Sequence, residues 1–333
     1  GLGHAFYGSD GASAVEIALK MAFHYWRNRG RPTKSGFVSV AGGYHGETAG
    51  ALAVTDVPLF RDTYLPLLRP GATVPSPDAR AAAAGESARD VAERAARALD
   101  AHLAANRATT AALIIEPRVQ GAGGMAMHDA HYLFRAREIC TRHDVLLIAD
   151  EIMTGFGRTG TMFAWEQAGA AAPDFLCLSK GLTGGYLPLS CVLTTDAIFD
   201  AFYDDDVARA FLHSHSYTGN ALACRAALAV LDLFRDDDAI AANAAKARRW
   251  SRLAAPLAAH SAVRSFRQAG MIIAFEVATE RPDFARWCFA EALEREVLLR
   301  PLGRTVYFMP PYVTTDDEFA ALAAAALAIV DRA

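Results

Sequence analysis

The chain has 333 residues and a formal net charge of −4 at pH 7, and it has no run in which basic and aromatic residues alternate. This charge balance argues against a nucleic-acid-binding surface. No stretch approaches about twenty uninterrupted apolar residues, and the first residues lack the pattern of a signal peptide. We therefore expect a cytoplasmic protein with neither nucleic-acid nor membrane partners. Its five widely spaced cysteines predict buried thiols rather than a metal site or disulfides.

Apolar runs and helical patterns alternate along the first two thirds of the chain. The runs predict buried strands at Gly36 to Val40, Ala111 to Ile115, Val145 to Ala149, Phe175 to Leu178 and Cys191 to Thr194. The patterns between them predict helices at Ala14 to Arg29, Ala88 to Asn106 and Asp129 to His143. This alternation predicts an α/β fold with a mostly parallel central sheet and helices on both faces.

The pattern changes after Leu222. A long apolar-rich helix ends at three aspartates beginning with Asp236, and short strands around GMIIAFEV and TVYFMPP and an alanine-rich final helix follow. We expect a large domain over residues 1–235 and a smaller C-terminal α+β domain over residues 236–333. The chain has no initiator methionine and opens on GLGHAFYGSDGAS, which indicates that an N-terminal segment is missing.

The segment from Ser9 to Ser13 reads SDGAS and precedes a helical pattern. Small residues at a helix N-terminus leave backbone N–H groups free, and the helix dipole favours an anion there. A phosphate could bind at this position. The structural alternative is capping of the helix by Ser13.

Two further strand ends carry candidate site residues. The loop GGYHGET, from Gly42 to Thr48, could present the ring of Tyr44 to a planar ligand, although it could also be an ordinary loop. The run VLLIAD ends at Asp150, whose carboxylate needs a donor such as a protonated ring nitrogen. Capping of the next turn by Asp150 is the alternative.

Lys180 lies at the end of the apolar run FLCLS and is followed by glycines. A lysine at this position could be a Schiff-base nucleophile whose pKa is lowered by partial burial, or it could be a solvated surface residue. The glycines follow the lysine, so this is not a phosphate-binding P-loop. A literal GxGxxG from Gly155 to Gly160 does not follow its strand directly and precedes a segment broken by Gly169, which disfavours a nicotinamide site.

Together, a phosphate cradle, a stacking ring, an acid for a pyridine nitrogen and a lysine for an aldehyde specify pyridoxal 5'-phosphate. With the runs GGYHGET, IIEPRVQGAGGM, LLIADEIMTGFGRTG, DFLCLSKGLTGG and HSHSYTGNALAC, the chain resembles the class III aminotransferases of the fold-type I pyridoxal-phosphate enzymes. The resemblance covers nearly the whole chain. It implies a PLP-dependent transaminase that works as a homodimer with shared active sites.

The resemblance also implies roles for individual residues. Lys180 corresponds to the Schiff-base lysine, and Asp150 to the partner of the pyridine nitrogen. Tyr44 resembles the stacking aromatic, with Ile152 against the other ring face. The remaining cofactor contacts fall at Gly11, Ala12 and Ser216; the first two lie where the family binds phosphate, and the last resembles a hydroxyl that reaches the phosphate of the neighbouring subunit.

On the substrate side, the runs SAVEIALKMAFHYW, EPRVQGAGGM and RPLGRTVYFMPPY resemble the family members that aminate 8-amino-7-oxononanoate in biotin biosynthesis. The resemblance implies substrate contacts from Tyr44, Arg300 and Tyr307, with Arg300 holding a distal carboxylate. A surface ion pair is the alternative for Arg300. An omega-amino acid or a diamine is the alternative substrate class, and S-adenosylmethionine and lysine both stay open as amino donors.

Two features depart from the family pattern. Ala12 stands where relatives often have a serine, so a side-chain contact to phosphate would be replaced by backbone N–H groups. The family's N-terminal segment, which contributes aromatic residues to the substrate pocket, is absent from this sequence.

Overall fold

The strands of the computed structural model, which describes residues 1–170 and 172–333, follow the apolar runs of the sequence. Among these residues the strands are β1 (His4–Gly8), β2 (Gly36–Val40), β3 (Ala72–Val74), β4 (Thr110–Ile115), β5 (Val119–Gln120), β6 (Ala126–Met127), β7 (Leu146–Asp150), β8 (Phe175–Leu178), β9 (Ser190–Thr194), β10 (Val263–Ala269), β11 (Ile272–Val277) and β12 (Thr305–Phe308). Strands β4, β7 and β8 are buried along their whole length. Strands covered on both faces have continuous apolar sequences, which is why these runs do not alternate with polar residues.

Helices fill most of the intervals between the strands. They are α1 (Gly11–Asn28), α2 (Ala49–Ala53), α3 (Pro58–Arg61), α4 (Ala88–Asn106), α5 (His131–Arg142), α6 (Asp196–Phe199), α7 (Ala221–Asp236), α8 (Ala239–Leu253), α9 (Ala255–Ala259), α10 (Phe284–Leu293) and α11 (Asp316–Val330). In the part of the chain that is described, no helix combines the length and the apolar character needed to cross a membrane.

The central sheet has seven strands in the order β1-β9-β8-β7-β4-β2-β3. Strands β8, β7, β4, β2 and β3 run parallel, whereas β9 is antiparallel to both β8 and β1. The expected mostly parallel sheet is therefore confirmed. Parallel strands end at the same edge of the sheet, so the loops after β2, β4, β7 and β8 lie side by side, where open α/β sheets bind their ligands.

Helix α1 provides much of the core on one face of the sheet. Its residues Ala14, Ile17, Ala18 and Met21 recur at helical spacing and are buried together with residues of β4, β7 and β8. The indole Nε1 of Trp26 donates to a strand carbonyl at 2.9 Å, which fixes the far end of the helix on the sheet. The N-terminus of α1 is thereby held beside the strand ends.

The chain divides into two compact units: residues Gly1–Phe156 with Phe163–Leu233, and residues Gly157–Met162 with Phe234–Ala333. This division differs from the expected continuous domain of residues 1–235. The segment Gly157–Met162 belongs to the second unit because Arg158 is bound there. Its carbonyl accepts from the amide of Met271 at 3.0 Å, and its guanidinium lies 4.3 Å from the ring centre of Tyr312.

The second unit has an antiparallel sheet in the order β10-β11-β12. Helices α8, α10 and α11 contribute to its core, in which the rings of Trp250 and Phe319 stack with their centres 4.3 Å apart. The expected strands around GMIIAFEV and TVYFMPP are present as β11 and β12. Strand β10 was not expected, because its sequence VRSFRQA is largely polar; Arg264 and Ser265 are exposed.

The five cysteines are free thiols, and four of them are buried. Cys224 departs from the expectation of burial, because it is only partly buried on α7.

The GxGxxG run from Gly155 to Gly160 lacks the structure of a dinucleotide site. No α-helix follows Gly160 directly, and the next helical segment is the short 3-10 helix Ala164–Ala168.

Candidate active site

Four neighbouring strands carry the candidate residues of the first unit. In the order β8-β7-β4-β2, Lys180 follows β8, Asp150 ends β7, Glu116 follows β4, and the loop with Tyr44 follows β2. The pairing register aligns Asp150 with Cys177, three residues before Lys180. The fold thus brings these residues to one edge of the sheet.

Asp150 is buried, with 5% of its surface exposed. Its Oδ2 lies 2.8 Å from Nδ1 of His45, and its Oδ1 accepts from the backbone N–H of Ile152 at 3.1 Å. The turn-capping alternative is therefore correct for one of the two oxygens. An ionised carboxylate has about four lone-pair sites, so Asp150 can also accept from a ligand.

His45 was not identified as a site residue from the sequence, although it lies beside Tyr44. It is 2% exposed, and its backbone N–H donates to Oγ1 of Thr55 at 3.0 Å. Because the carboxylate of Asp150 only accepts, we assign the imidazole proton to Nδ1. The Nε2 atom then carries a buried lone pair without a hydrogen-bond partner among the described residues.

Tyr44 is half-buried in the loop after β2. Its hydroxyl donates to Oε1 of Glu47 at 2.8 Å, and its ring centre lies 5.0 Å from that of Phe60. Burial and the hydrogen bond to Glu47 raise the pKa of Tyr44 to about 12. The phenol is therefore neutral at physiological pH.

The phosphate-loop candidate lies at the first turn of α1. The helix begins at Gly11, and the carboxylate of Asp10 caps it by accepting from the N–H of Ser13 at 2.8 Å. The expected cap by Ser13 is wrong, because the side chain of Asp10 does the capping and Ser13 contributes its backbone N–H. Within the described part of the chain, no acceptor is bound to the N–H groups of Gly11 and Ala12. Free N–H groups at a helix start can bind an anion.

Two close approaches tie this helix start to the neighbouring loops. A Cβ atom added at Gly11 would lie 2.9 Å from Cγ2 of Ile152, and one added at Gly46 would lie 2.7 Å from Cβ of Ala12. Gly46 also has a φ of +117°, which side chains rarely adopt. Glycine at these two positions lets the loop after β2, the turn after β7 and the start of α1 meet.

Lys180 is exposed, so the expected partial burial is wrong. Strand β8 ends at Leu178, and the hydroxyl of Ser179 donates to the carbonyl of Leu189 at 2.8 Å. The chain then turns into a 3-10 helix that begins at Lys180, whose φ is +45°. This turn places the lysine outside the core, although the apolar run before it had suggested partial burial.

Ser216 is exposed on the loop before α7. The two expected substrate residues belong to the second unit: Arg300 is exposed, and Tyr307 pairs with Ala274 in β12. Both line a cleft of about 540 Å³ together with Met309. The alternative of a surface ion pair is not seen, because no described carboxylate lies within ion-pair distance of Arg300.

Glu116 and Glu151 are buried carboxylates that sequence reasoning missed. Glu116 accepts from the N–H groups of Tyr44 and Gly121 at 2.9 and 3.0 Å. Glu151 accepts from the N–H groups of Ala164 and Trp165 at 3.0 and 2.6 Å. The signal was available for Glu116, which follows the apolar run ALII as Asp150 follows its own run.

Comparison with known proteins defines the class. The family model described as aminotransferase class-III matches residues 3–330. The chain therefore belongs to the class-III aminotransferases, which are enzymes that transfer amino groups.

The curated relatives and solved structures agree with this family. The chain is 44% identical over 337 residues to adenosylmethionine-8-amino-7-oxononanoate aminotransferase of Helicobacter pylori, with 98% of this chain and 74% of the relative covered. It is 40% identical to the protein of that name from Geobacter sulfurreducens, with 96% and 72% covered. The crystal structure of the Methanocaldococcus jannaschii protein of that name is 33% identical, with a TM-score of 0.89 and 99% and 75% covered.

A PLP-bound amine transaminase from an uncultivated Pseudomonas species has a TM-score of 0.91 at 34% identity, with 99% of this chain and 77% of that protein covered. These structural similarities confirm the predicted fold class. The relatives are longer than this chain, which spans about three quarters of their length.

Glu151→Gln should flatten the pH dependence of stability. Burial raises the pKa of Glu151 to about 7 from its ordinary value of 4.5. The folded state therefore binds more protons than the unfolded state between these values, so the free energy of unfolding falls as the pH rises through this window. In urea titrations from about pH 5 to about pH 8, we expect wild type to lose stability relative to the variant.

The exposed Glu280 provides the matched control for this substitution. Glu280→Gln should follow the wild-type pH dependence. If the difference in unfolding free energy between wild type and Glu151→Gln were constant with pH, Glu151 would ionise at its ordinary pKa and the prediction would be wrong.

Proposed function

We propose that the chain is a PLP-dependent aminotransferase that transfers an amino group to 8-amino-7-oxononanoate, giving 7,8-diaminononanoate in biotin biosynthesis. The observation that carries the proposal is the 44% identity, over 98% of the chain, to a relative whose name specifies this acceptor. The same name gives adenosylmethionine as the amino donor, and we propose S-adenosylmethionine for this chain.

The residues of the first unit fit pyridoxal 5'-phosphate. The free N–H groups of Gly11 and Ala12 suit its phosphate, and the buried carboxylate of Asp150 retains acceptor capacity for a protonated ring nitrogen. Lys180 has an accessible amine for the aldehyde. When bound, the cofactor supplies an electron-withdrawing pyridinium that stabilises negative charge on the substrate carbon.

The residues of this chain then have distinct roles. Asp150 keeps the ring nitrogen protonated, and His45 orients Asp150 through the 2.8 Å contact. Tyr44 and Ile152 would hold the cofactor ring from its two faces. Lys180 would act as the general acid and base that moves the proton of the substrate carbon. We assign Ser216 to the phosphate of the neighbouring subunit.

A second candidate is a class-III aminotransferase acting on an omega-amino acid or a diamine. The structural comparison favours it, because an omega transaminase from Pseudomonas jessenii has a TM-score of 0.92 with this chain. Its identity is 28%, below the 44% of the Helicobacter pylori relative. The acceptor therefore decides between the two candidates.

Lys180→Ala should abolish transamination and the visible absorbance of the bound cofactor. The chain has four lysines, Lys20, Lys34, Lys180 and Lys246. Borohydride reduction of wild type followed by peptide mass spectrometry should place the cofactor on the peptide that contains Lys180. A label on another lysine, or activity retained in Lys180→Ala, would refute this role.

Arg300→Ala should raise KM for 8-amino-7-oxononanoate roughly 10- to 100-fold, because a charge-assisted hydrogen bond to its distal carboxylate contributes about 1.5–3 kcal/mol. Arg300→Lys should restore only part of the affinity, since an ammonium lacks the planar fork. The exposed neighbour Arg304 supplies the control, and Arg304→Ala should leave KM unchanged. The measurement is a steady-state assay with S-adenosylmethionine as donor.

Pyruvate serves as the second acceptor in this assay. Turnover with 8-amino-7-oxononanoate and little with pyruvate supports the biotin-pathway role. Faster turnover with pyruvate, or an unchanged KM in Arg300→Ala, would favour the omega-amino acid or diamine reaction. Lysine tested in place of S-adenosylmethionine identifies the donor.

We also propose that the enzyme is a homodimer with shared active sites. Helix α7 supports this, since its Leu222 and Leu228 are 75% and 55% exposed, and the preceding Tyr217 is 70% exposed. Large apolar side chains clustered on a surface commonly mark an interface. The loop containing Ser216 leads directly into this helix.

Leu228→Asp should convert dimers to monomers, because it would place a charge in the apolar contact. Sedimentation equilibrium at micromolar concentration measures the mass. Ala104→Asp, at an exposed position of α4, is the control and should stay dimeric. A wild type that sediments as a monomer of about 36 kDa would contradict the dimer.

We place the enzyme in the cytoplasm, since its five free thiols suit a reducing compartment. Cell fractionation tests this placement, and recovery from an oxidising compartment would contradict it.

A further inference from the structure

Glu116 occupies a central position at the ligand-binding edge of the sheet. It follows β4, the strand between β7 and β2. Ile115 is paired with Ala149, so Glu116 comes level with Asp150 on the neighbouring strand. The residue is buried, with 8% of its surface exposed.

Each oxygen of this carboxylate accepts from a different loop. Oε2 accepts from the backbone N–H of Tyr44 at 2.9 Å, and Oε1 accepts from that of Gly121 at 3.0 Å. A carboxylate accepts at both oxygens, whereas a side-chain amide has an NH2 group in place of one oxygen, and that group can only donate. A buried N–H group that faces another donor is left unsatisfied, at substantial cost.

The bond to Glu116 is made by the N–H of the Gly43–Tyr44 peptide. The loop therefore has a fixed anchor directly before Tyr44, and the next residue, His45, carries the imidazole that lies 2.8 Å from Asp150. The hydroxyl of Tyr44 and the backbone N–H of His45 have their own partners, but both partners lie on neighbouring segments after β2, at Glu47 and Thr55. Glu116 supplies an anchor from the end of β4, the strand next to β2 in the sheet.

We propose that Glu116 is a positioning residue that holds the Tyr44 loop in place for the cofactor, acting through the backbone rather than by touching the reacting atoms. The proposal rests on the cofactor site proposed above. If Glu116 has this role, its replacement should change the affinity for the cofactor and the circular dichroism of the bound cofactor. Both quantities can be measured without substrate.

The test titrates pyridoxal 5'-phosphate into apo-dimers of wild type and Glu116→Gln and records visible absorbance and circular dichroism. We expect the dissociation constant for the cofactor to rise roughly 10- to 100-fold in Glu116→Gln, because one anchoring bond is replaced by a donor facing a donor. The circular dichroism of the bound cofactor should also weaken, since the ring face is held less rigidly. Glu116→Asp, which is too short to reach both amides, should fall between the two.

Glu151→Gln is the matched control. Glu151 is also a buried carboxylate in the same unit, it also accepts from two backbone N–H groups, and it follows Asp150 directly. Its partners are the amides of Ala164 and Trp165, outside the Tyr44 loop. This variant should lose stability while retaining the wild-type cofactor affinity and circular dichroism.

A double-mutant cycle separates positioning from general destabilisation. In Tyr44→Ala, which lacks the ring, adding Glu116→Gln should weaken cofactor binding much less than it does in wild type. Equal effects in both backgrounds would overturn the proposal, as would wild-type affinity in Glu116→Gln. Parallel losses of affinity in Glu116→Gln and Glu151→Gln would also overturn it.

Failure of this proposal is distinguishable from failure of the proposed function. If wild type binds no cofactor through Lys180, the function itself is wrong. If wild type binds the cofactor and Glu116→Gln binds it equally well, only the positioning role is wrong. Should Glu116→Gln not fold, Glu116→Asp and its own cycle with Tyr44→Ala provide the same comparison.

Discussion

Burial of the carboxylates of Glu116 and Asp150 at one edge of the parallel sheet is the constraint on which the site depends. These two residues lie at the ends of the adjacent strands β4 and β7, and each is almost excluded from water. A carboxylate removed from water must receive hydrogen bonds, or its burial costs several kcal/mol. Here the donors come from the surrounding loops, so the need to satisfy buried charge also holds those loops against the sheet.

This constraint has an electrostatic consequence. Burial raises the pKa of Glu116 to about 7, and the charge of Asp150 adds to this shift. Like charges near one another disfavour ionisation, whereas a nearby cation favours it. A protonated ring nitrogen beside Asp150 would therefore relieve the excess of negative charge that the protein alone leaves there. The same edge that demands backbone donors thus favours a cationic ligand at Asp150.

The sequence predicts the interior of the sheet better than its margins. Strands β2 and β8 and helix α4 begin and end where their patterns predict. Strand β8 is buried at every residue, and α4 buries residues at helical spacing. Strands β1 and β3, at the two edges of the sheet, were not predicted. Most residues of β1 are only partly buried, and β3 has three residues, two of them exposed. The antiparallel direction of β9 was also not apparent, because an apolar run has no direction.

The residues of the candidate site were likewise only partly predictable from the sequence. Asp150 and Tyr44 were identifiable from strand ends and glycines, and their predicted roles stay proposals. His45 and Glu116 were missed because their significance depends on the strand order β7-β4-β2, which places distant parts of the chain side by side. The apolar run before Lys180 does not reveal whether the lysine itself is buried. Lys180 is exposed, and its backbone is left-handed with a φ of +45°, a conformation that costs about 1–2 kcal/mol for a residue with a side chain. That local strain is smaller than the cost of burying an isolated ammonium, and it leaves the amine accessible to an aldehyde.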